Sequence, residues 1–245
     1  MSAARALATA ERVLRQLRHD RRTLALVFVV PPFLLTLFRY VFDGQPETFD
    51  RVGGPLVGLF PFTSMFLVTS IAMLRERTNG TLERLMSMPI AKPDLLSGYG
   101  LAFAAVAALQ ASITSGVAFG LLGLDTEGAV WLVVLIAVAN ALLGMALGLF
   151  LSAFAATEFQ AVQFMPAVVI PQILLCGLLV PRERMAEPLQ WLSEALPLTY
   201  AYDALADATQ DGSLDADLAV NVAVVAAYVV VALALGAATL RRRTP

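Results

Sequence analysis

The chain has 245 residues, 58% of them hydrophobic and 15% charged, with a net charge of −2, whereas average soluble domains are about half apolar and about a quarter charged. That excludes a soluble fold, because helices apolar all round need a larger core than this length can wrap. A lone cysteine, Cys176, excludes an intrachain disulfide, and a lone histidine, His19, with no paired cysteine or histidine excludes the common zinc arrangements.

Residues 2–22 predict an amphipathic helix. Ala3, Leu7, Ala10, Leu14 and Leu17 share one face at helical spacing, with Arg5, Arg12 and Arg15 on or toward the other. The pattern suits a helix in the interfacial plane, its guanidinium groups reaching lipid phosphates. An uncleaved signal anchor with a basic flank would have the same orientation. A cleaved signal peptide does not fit, because the next stretch stays apolar past Pro31 and Pro32.

Six candidate spans come next: Thr23–Phe42, Pro55–Leu74, Leu95–Leu122, Ala129–Ala153, Phe164–Val180 and Leu218–Leu240. Five are long enough for a hydrocarbon core of about 30 Å. The fifth reaches only about 25 Å, so it sits in a thinned bilayer or is completed by the residues after Val180. The chain is thus an all-α membrane protein with six transmembrane helices.

Basic residues set the orientation. The N-terminal segment holds Arg5, Arg12, Arg15, Arg18, Arg21 and Arg22, the loop after the second span Arg75, Arg77, Arg84 and Lys92, and the tail Arg241, Arg242 and Arg243. The other side holds Arg51, Arg182 and Arg184, with Arg39 snorkelling near the end of the first span. The positive-inside rule puts both termini and the Arg75 loop in the cytoplasm, and the protein in the cell membrane. Acidic residues cluster in the first and third external loops without an EF-hand pattern, so they read as a solvated face and not a metal site.

Within the spans, Gly144 and Gly148 form a GxxxG pair, and Ser112, Gly116 and Gly120 form a ridge of small residues; both predict close helix packing. The prolines Pro31, Pro32, Pro61, Pro166 and Pro171 predict bends. No ionisable residue sits at the centre of a span, which argues against an ion-coupled carrier. No serine can pair with a histidine there, which argues against an intramembrane hydrolase. Energy for any transport must come from outside the bilayer.

Residues Arg75 to Pro93 are a charged island between two apolar spans. Leu82, Leu85 and Met86 come after Thr81 at helical spacing, and Arg75, Glu76, Arg77, Glu83 and Arg84 supply a charged rim, with Pro89 ending the helix. Such a helix can dock into a groove on a cytosolic partner. An ordinary loop packed on its own bundle would look the same.

The run from Glu76 to Leu85, Glu-Arg-Thr-Asn-Gly-Thr-Leu-Glu-Arg-Leu, with Pro89 four residues on, resembles the cytoplasmic signature of ABC-2 type transporter permeases, the group that includes daunorubicin-resistance-type exporters. Gly177, Pro181, Leu189 to Leu192, Pro197 to Ala201 and Asp203-Ala204-Leu205 are similar to that family's stretch after its fifth span. The order and spacing match, so the resemblance covers essentially the whole chain. It implies an interfacial helix over residues 1–22 and a six-helix transmembrane domain over 23–245. Within that domain it implies a coupling helix at about 75–89 and external re-entrant helices at about 181–206, with Trp191 as an interfacial anchor.

The resemblance implies a permease subunit moving an apolar or amphipathic compound by alternating access. Arg75, Glu76, Arg77, Gly80, Thr81, Leu82, Glu83, Arg84 and Leu85 would couple it to a cytosolic ATPase. No G-x-x-x-x-G-K-[ST] occurs in the sequence, so ATP and Mg would sit on that partner, and this chain would bind no cofactor or metal and catalyse nothing itself. The complex would hold two ATPase copies and two permease chains, identical or homologous, and no nucleic acid. Phe62, Met65, Phe66 and Thr69 with Phe164, Met165 and Ile173 are the expected cavity border, although such residues also suit plain packing. Ala206 departs from the family pattern, which often has a basic residue there, so an ion pair near Asp203 is absent or rearranged. A permease of this fold for polysaccharide, lipid or haem, and a non-transporting membrane anchor or sensor, remain alternatives.

Overall fold

A computed structural model describes residues 3–86, 92–210 and 215–239. Among them the chain forms helices α1 (Ala3–His19), α2 (Arg21–Val41), α3 (Pro46–Thr78), α4 (Thr81–Met86), α5 (Lys92–Gly120), α6 (Val130–Leu151), α7 (Glu158–Phe164), α8 (Ile170–Leu175), α9 (Glu187–Glu194), α10 (Pro197–Gln210) and α11 (Ala216–Thr239). Among the described residues, six segments are long and apolar enough to cross a membrane: α2, α3, Ser97–Gly120 of α5, Val130–Phe154, Glu158–Leu175 and α11. They match the predicted spans, with shifted ends. The second is longest, because α3 starts at Pro46, an acceptable first helical residue, and runs through Pro55 and Pro61.

The fifth span differs most from expectation. It begins at Glu158, capped by the Thr157 side chain accepting from the Gln160 amide at 3.2 Å, and ends at Leu175. Between α7 and α8 the residues Met165–Val169 form a π turn around Pro166, which has no amide hydrogen to give the regular ladder. Gly177, with φ of +105°, then turns the chain out of the helix. α9 and α10 lie at that end, beside the acidic residues. We call it the acidic end, and the end with α1 and Arg75 the arginine-rich end.

The centre of the bundle is the contact of α3 with α6. A Cβ at Gly144 would lie 2.1 Å from the Phe62 carbonyl oxygen, and one at Gly148 would lie 2.4 Å from that of Phe66. Only glycine permits so close an approach, so the GxxxG pair has its expected packing use. Polar groups stitch the same interface: the Thr69 hydroxyl donates within its own helix to the Met65 carbonyl at 2.6 Å and lies 3.2 Å from the carbonyl of Met145. Asn140 Nδ2 donates to the Ala201 carbonyl at 3.3 Å, tying α6 to α10. The other small-residue ridge has no such partner. Ser112, Gly116 and Gly120 are exposed, and α5 instead buries Ala111, Thr114, Ser115 and Ala118.

Helix α1 forms within the expected residues. It packs on α5 through Ala6, Thr9, Ala10, Val13 and Leu17, with Thr9 so close to Gly98 that a Cβ there would lie 2.4 Å from it. Leu7 and Leu14, also on the expected apolar face, are exposed. The burying stripe is therefore rotated toward the small residues. A helix can approach another most closely where its side chains are shortest.

Candidate functional site

A cleft of about 480 Å³ opens between α1, α2, α3 and α5, with Met165 on its wall. From α3 it takes Phe60, Thr63, Ser64, Leu67, Val68 and Ile71, which recur at three and four residues and so form one stripe. Leu26, Val30, Pro31 and Leu34 of α2 face that stripe across the space. The walls are chiefly apolar, and the charged residues Asp20, Arg75 and Glu76 gather at the arginine-rich end. Deeper in, Gln110 Nε2 donates to Ser64 Oγ at 2.8 Å and to the Val27 carbonyl at 2.9 Å, fixing α2, α3 and α5 relative to one another.

Two polar networks hold the mouth. In the first, the Tyr99 hydroxyl donates to Glu76 Oε2 at 2.7 Å, and Arg12 donates to both that hydroxyl and, at 3.5 Å, the same carboxylate oxygen. Glu76 and Tyr99 are buried. In the second, Arg75 donates through Nε and Nη2 to the two oxygens of Glu158 at 2.7 and 3.0 Å, a fork-to-fork contact, with Asp20 3.9 Å away. Asp20 also caps α2, accepting from the Thr23 hydroxyl at 2.7 Å and the Thr23 amide at 3.1 Å. Those bonds hold its carboxyl below the usual range, because they favour the charged form.

The expected site residues divide around this cleft. Met165 lines it, whereas Phe62, Met65, Phe66 and Thr69 are buried on the opposite side of α3, against α6. The glycines of α6 draw the Phe62 and Phe66 backbone into contact, which turns the next stripe, Phe60 to Ile71, toward the open space. Phe164 and Ile173 are half-buried and pack on the main core.

The charged island is divided as well. It is not one helix over 75–89: Arg75, Glu76 and Arg77 form the last turn of α3, Asn79 and Gly80 make a turn with Gly80 at φ +70°, and α4 starts at Thr81. Glu76, expected on a charged rim, is instead buried beneath Arg12 and Tyr99. Leu85 is half-buried against the chain's own core, and Arg84 is exposed. The side chains of Leu82 and Glu83, and Pro89 altogether, lie outside the described residues. At the acidic end, Asp203 pairs with Arg182 at 2.7 Å, where Ala206 offers no partner. Burial pushes the Asp203 carboxyl up to about 6, against the pull of Arg182.

Sequence reasoning missed Arg12, Asp20, Tyr99 and Glu158. Asp20 had a local signal, an acidic residue three before Thr23 at the start of an apolar run. The others are joined across 64, 87 and 83 positions of chain, where no periodicity applies.

The family model described as ABC-2 type transporter matches residues 5–209. Among curated proteins, ABC transporter G family member 20 of Dictyostelium discoideum is 28% identical over 166 residues, 67% of this chain and 23% of that protein. Probable multidrug ABC transporter permease YbhR of Escherichia coli K12 is 28% identical over 148 residues, 60% of this chain and 40% of that protein. Inner membrane transport permease YhhJ of the same organism is 28% identical over 161 residues, 64% and 42% of the two chains. The chain thus spans less than half the length of each of these relatives.

Proposed function

This chain belongs to the ABC-2 type transporter family, and we propose that it is the permease of an ATP-driven exporter for an apolar or amphipathic compound, in the daunorubicin-resistance-type branch. The observation that carries the substrate class is the cleft: apolar along α2 and α3, with charge only at its arginine-rich mouth. A molecule with an apolar body and a polar end matches that distribution. The relative YbhR is named a probable multidrug permease, which agrees with the same class.

In this reading a separate ATPase subunit, present in two copies, binds ATP and Mg and presses on α4 with its exposed Arg84. α4 comes after α3 across a two-residue turn, and α3 walls the cleft, so a push on one moves the other. Two permease chains, identical or homologous, complete the pathway. ATP favours one arrangement over the other, and the cleft alternates between the two sides of the cell membrane. The basic residues at the α1 and Arg75 end put that end in the cytoplasm with both termini. Residues 181–206 form the external segment beyond the fifth span, and Trp191, which is 67% exposed, anchors it at the interface.

The test is the ATPase rate of the reconstituted complex in lipid. Apolar amphiphiles raise the rate, Val68→Trp removes that stimulation, and Arg84→Glu weakens coupling. An ATPase partner that neither binds this chain nor responds to it overturns the reading.

A further inference from the structure

A second cleft, of about 810 Å³, opens at the arginine-rich end between the end of α3 and helices α5, α6 and α11. It shares no lining residue with the first. Its walls are apolar, including Leu101, Met145, Leu149 and Leu233, and its polar side chains are Arg77 and Ser97. Along α11 it runs from Val229 to Ala238, which at helical rise is about 13 Å. That is close to one leaflet of a bilayer whose hydrocarbon core is about 30 Å thick.

Arg77 has no ion-pair partner among the described residues. Its neighbour Arg75 is held by Glu158 and Asp20, Arg12 by Glu76, and Arg182 by Asp203. The Arg77 Nε is buried and has no hydrogen-bond acceptor among the described residues. A guanidinium kept half-buried at the head of an apolar cleft needs an anion to offset its lost hydration. The anion must be attached to something apolar, since the cleft below is apolar and the length of one leaflet.

From this juxtaposition we propose that the cleft is a binding site for an anionic phospholipid of the leaflet at the arginine-rich end, its phosphate on Arg77 and an acyl chain along Gly100, Leu101 and Leu233. Gly100 gives the chain its space: a Cβ built there meets no atom within 4 Å. The phosphate accepts from the guanidinium in a charge-assisted contact, which a zwitterionic lipid offers with less net attraction. The lipid wedges between the end of α3 and α11 and so sits against the segment that leads into α4.

The test uses the full chain in detergent with an equimolar mixture of phosphatidylglycerol and phosphatidylcholine, with bound lipid counted by native mass spectrometry. Wild type is expected to retain phosphatidylglycerol over phosphatidylcholine by roughly fivefold or more. Arg77→Gln abolishes the preference and Arg77→Lys keeps part of it. Gly100→Trp, which leaves Arg77 in place and fills the chain's space, lowers retention of both lipids. Equal retention of the two lipids by wild type overturns the proposal without any variant being needed. So does an undiminished preference in Arg77→Gln, or undiminished lipid in Gly100→Trp, since either places the lipid elsewhere. No ATPase enters the measurement, so its outcome is separate from that of the transport reading.

Discussion

The two faces of α3 share one helix and one bilayer depth but differ in what stands opposite them. On one face Phe62, Met65, Phe66 and Thr69 lie against α6 with no accessible surface, and Gly58 brings the same side close to Leu205 of α10. On the other, Phe60, Thr63, Ser64, Leu67, Val68 and Ile71 border an open cleft and are only partly buried. Both faces carry aromatic and aliphatic residues, so composition does not separate them. The small residues on the neighbouring helix do.

The sharpest way to break the comparison is to give α6 a side chain where it has none. Gly144→Leu forces a Cβ into the Phe62 carbonyl, a backbone atom that cannot rotate away. It is expected to cost more than about 3 kcal/mol, read as a large fall in thermal stability in detergent. Glu76→Ala comes next. It leaves Arg12 and Tyr99 without their acceptor at a buried position, and a loss of about 3 kcal/mol is expected, with Glu76→Gln recovering part of it.

The pair Arg182 and Asp203 extends the packed side through α10. The Asp203 carboxyl titrates near 6 in the fold, raised from an ordinary value of 3.8. The unfolded chain therefore ionises first, and stability falls as pH rises from about 4 to about 6, then levels off. A pH series of thermal melts should show that decline, and Asp203→Asn should flatten it. On the cleft face, Val68→Ala should cost no more than about 1 kcal/mol because the side chain is only partly buried and borders the open cleft. Glu158→Gln should be smallest in stability, also under about 1 kcal/mol, since both partners of that ion pair are near half-exposed.

Much of this architecture could be read before the structure. Six apolar stretches longer than a core strand or turn leave few alternatives, and GxxxG announced a close contact. Phe62, Met65 and Phe66 suit a cavity border by size and softness, which say what a residue can touch and not where it faces. Gly144 and Gly148 draw Phe62 and Phe66 onto α6, which leaves the next stripe, Phe60 to Ile71, for the cleft. Residue periodicity cannot announce Glu76 with Arg12 and Tyr99, because the partners lie on three helices and only the assembled bundle joins them. The π turn at Met165–Val169 had Pro166 as its one local sign, and Pro31 and Pro32 bear the same sign inside an uninterrupted α2.

The seating of α1 on α5 also imposes an order in time. Chains emerge from the ribosome N-terminus first, so Arg12 is made long before Glu76 or Tyr99 exists to meet it. α1 therefore waits, its small-residue stripe unsatisfied, through the insertion of α2 and α3. The Gly98 notch that receives Thr9 arrives with α5, and Glu158, which secures Arg75, arrives later still. Within this bundle the arginine-rich end is thus begun before the helices that complete it and is among the last parts to be closed. A nascent chain halted between α3 and α5 would hold Glu76 without Tyr99, and α1 without the surface that seats Arg12. It would depend on the insertion machinery, or on the lipid headgroups around it, until the next helix appeared.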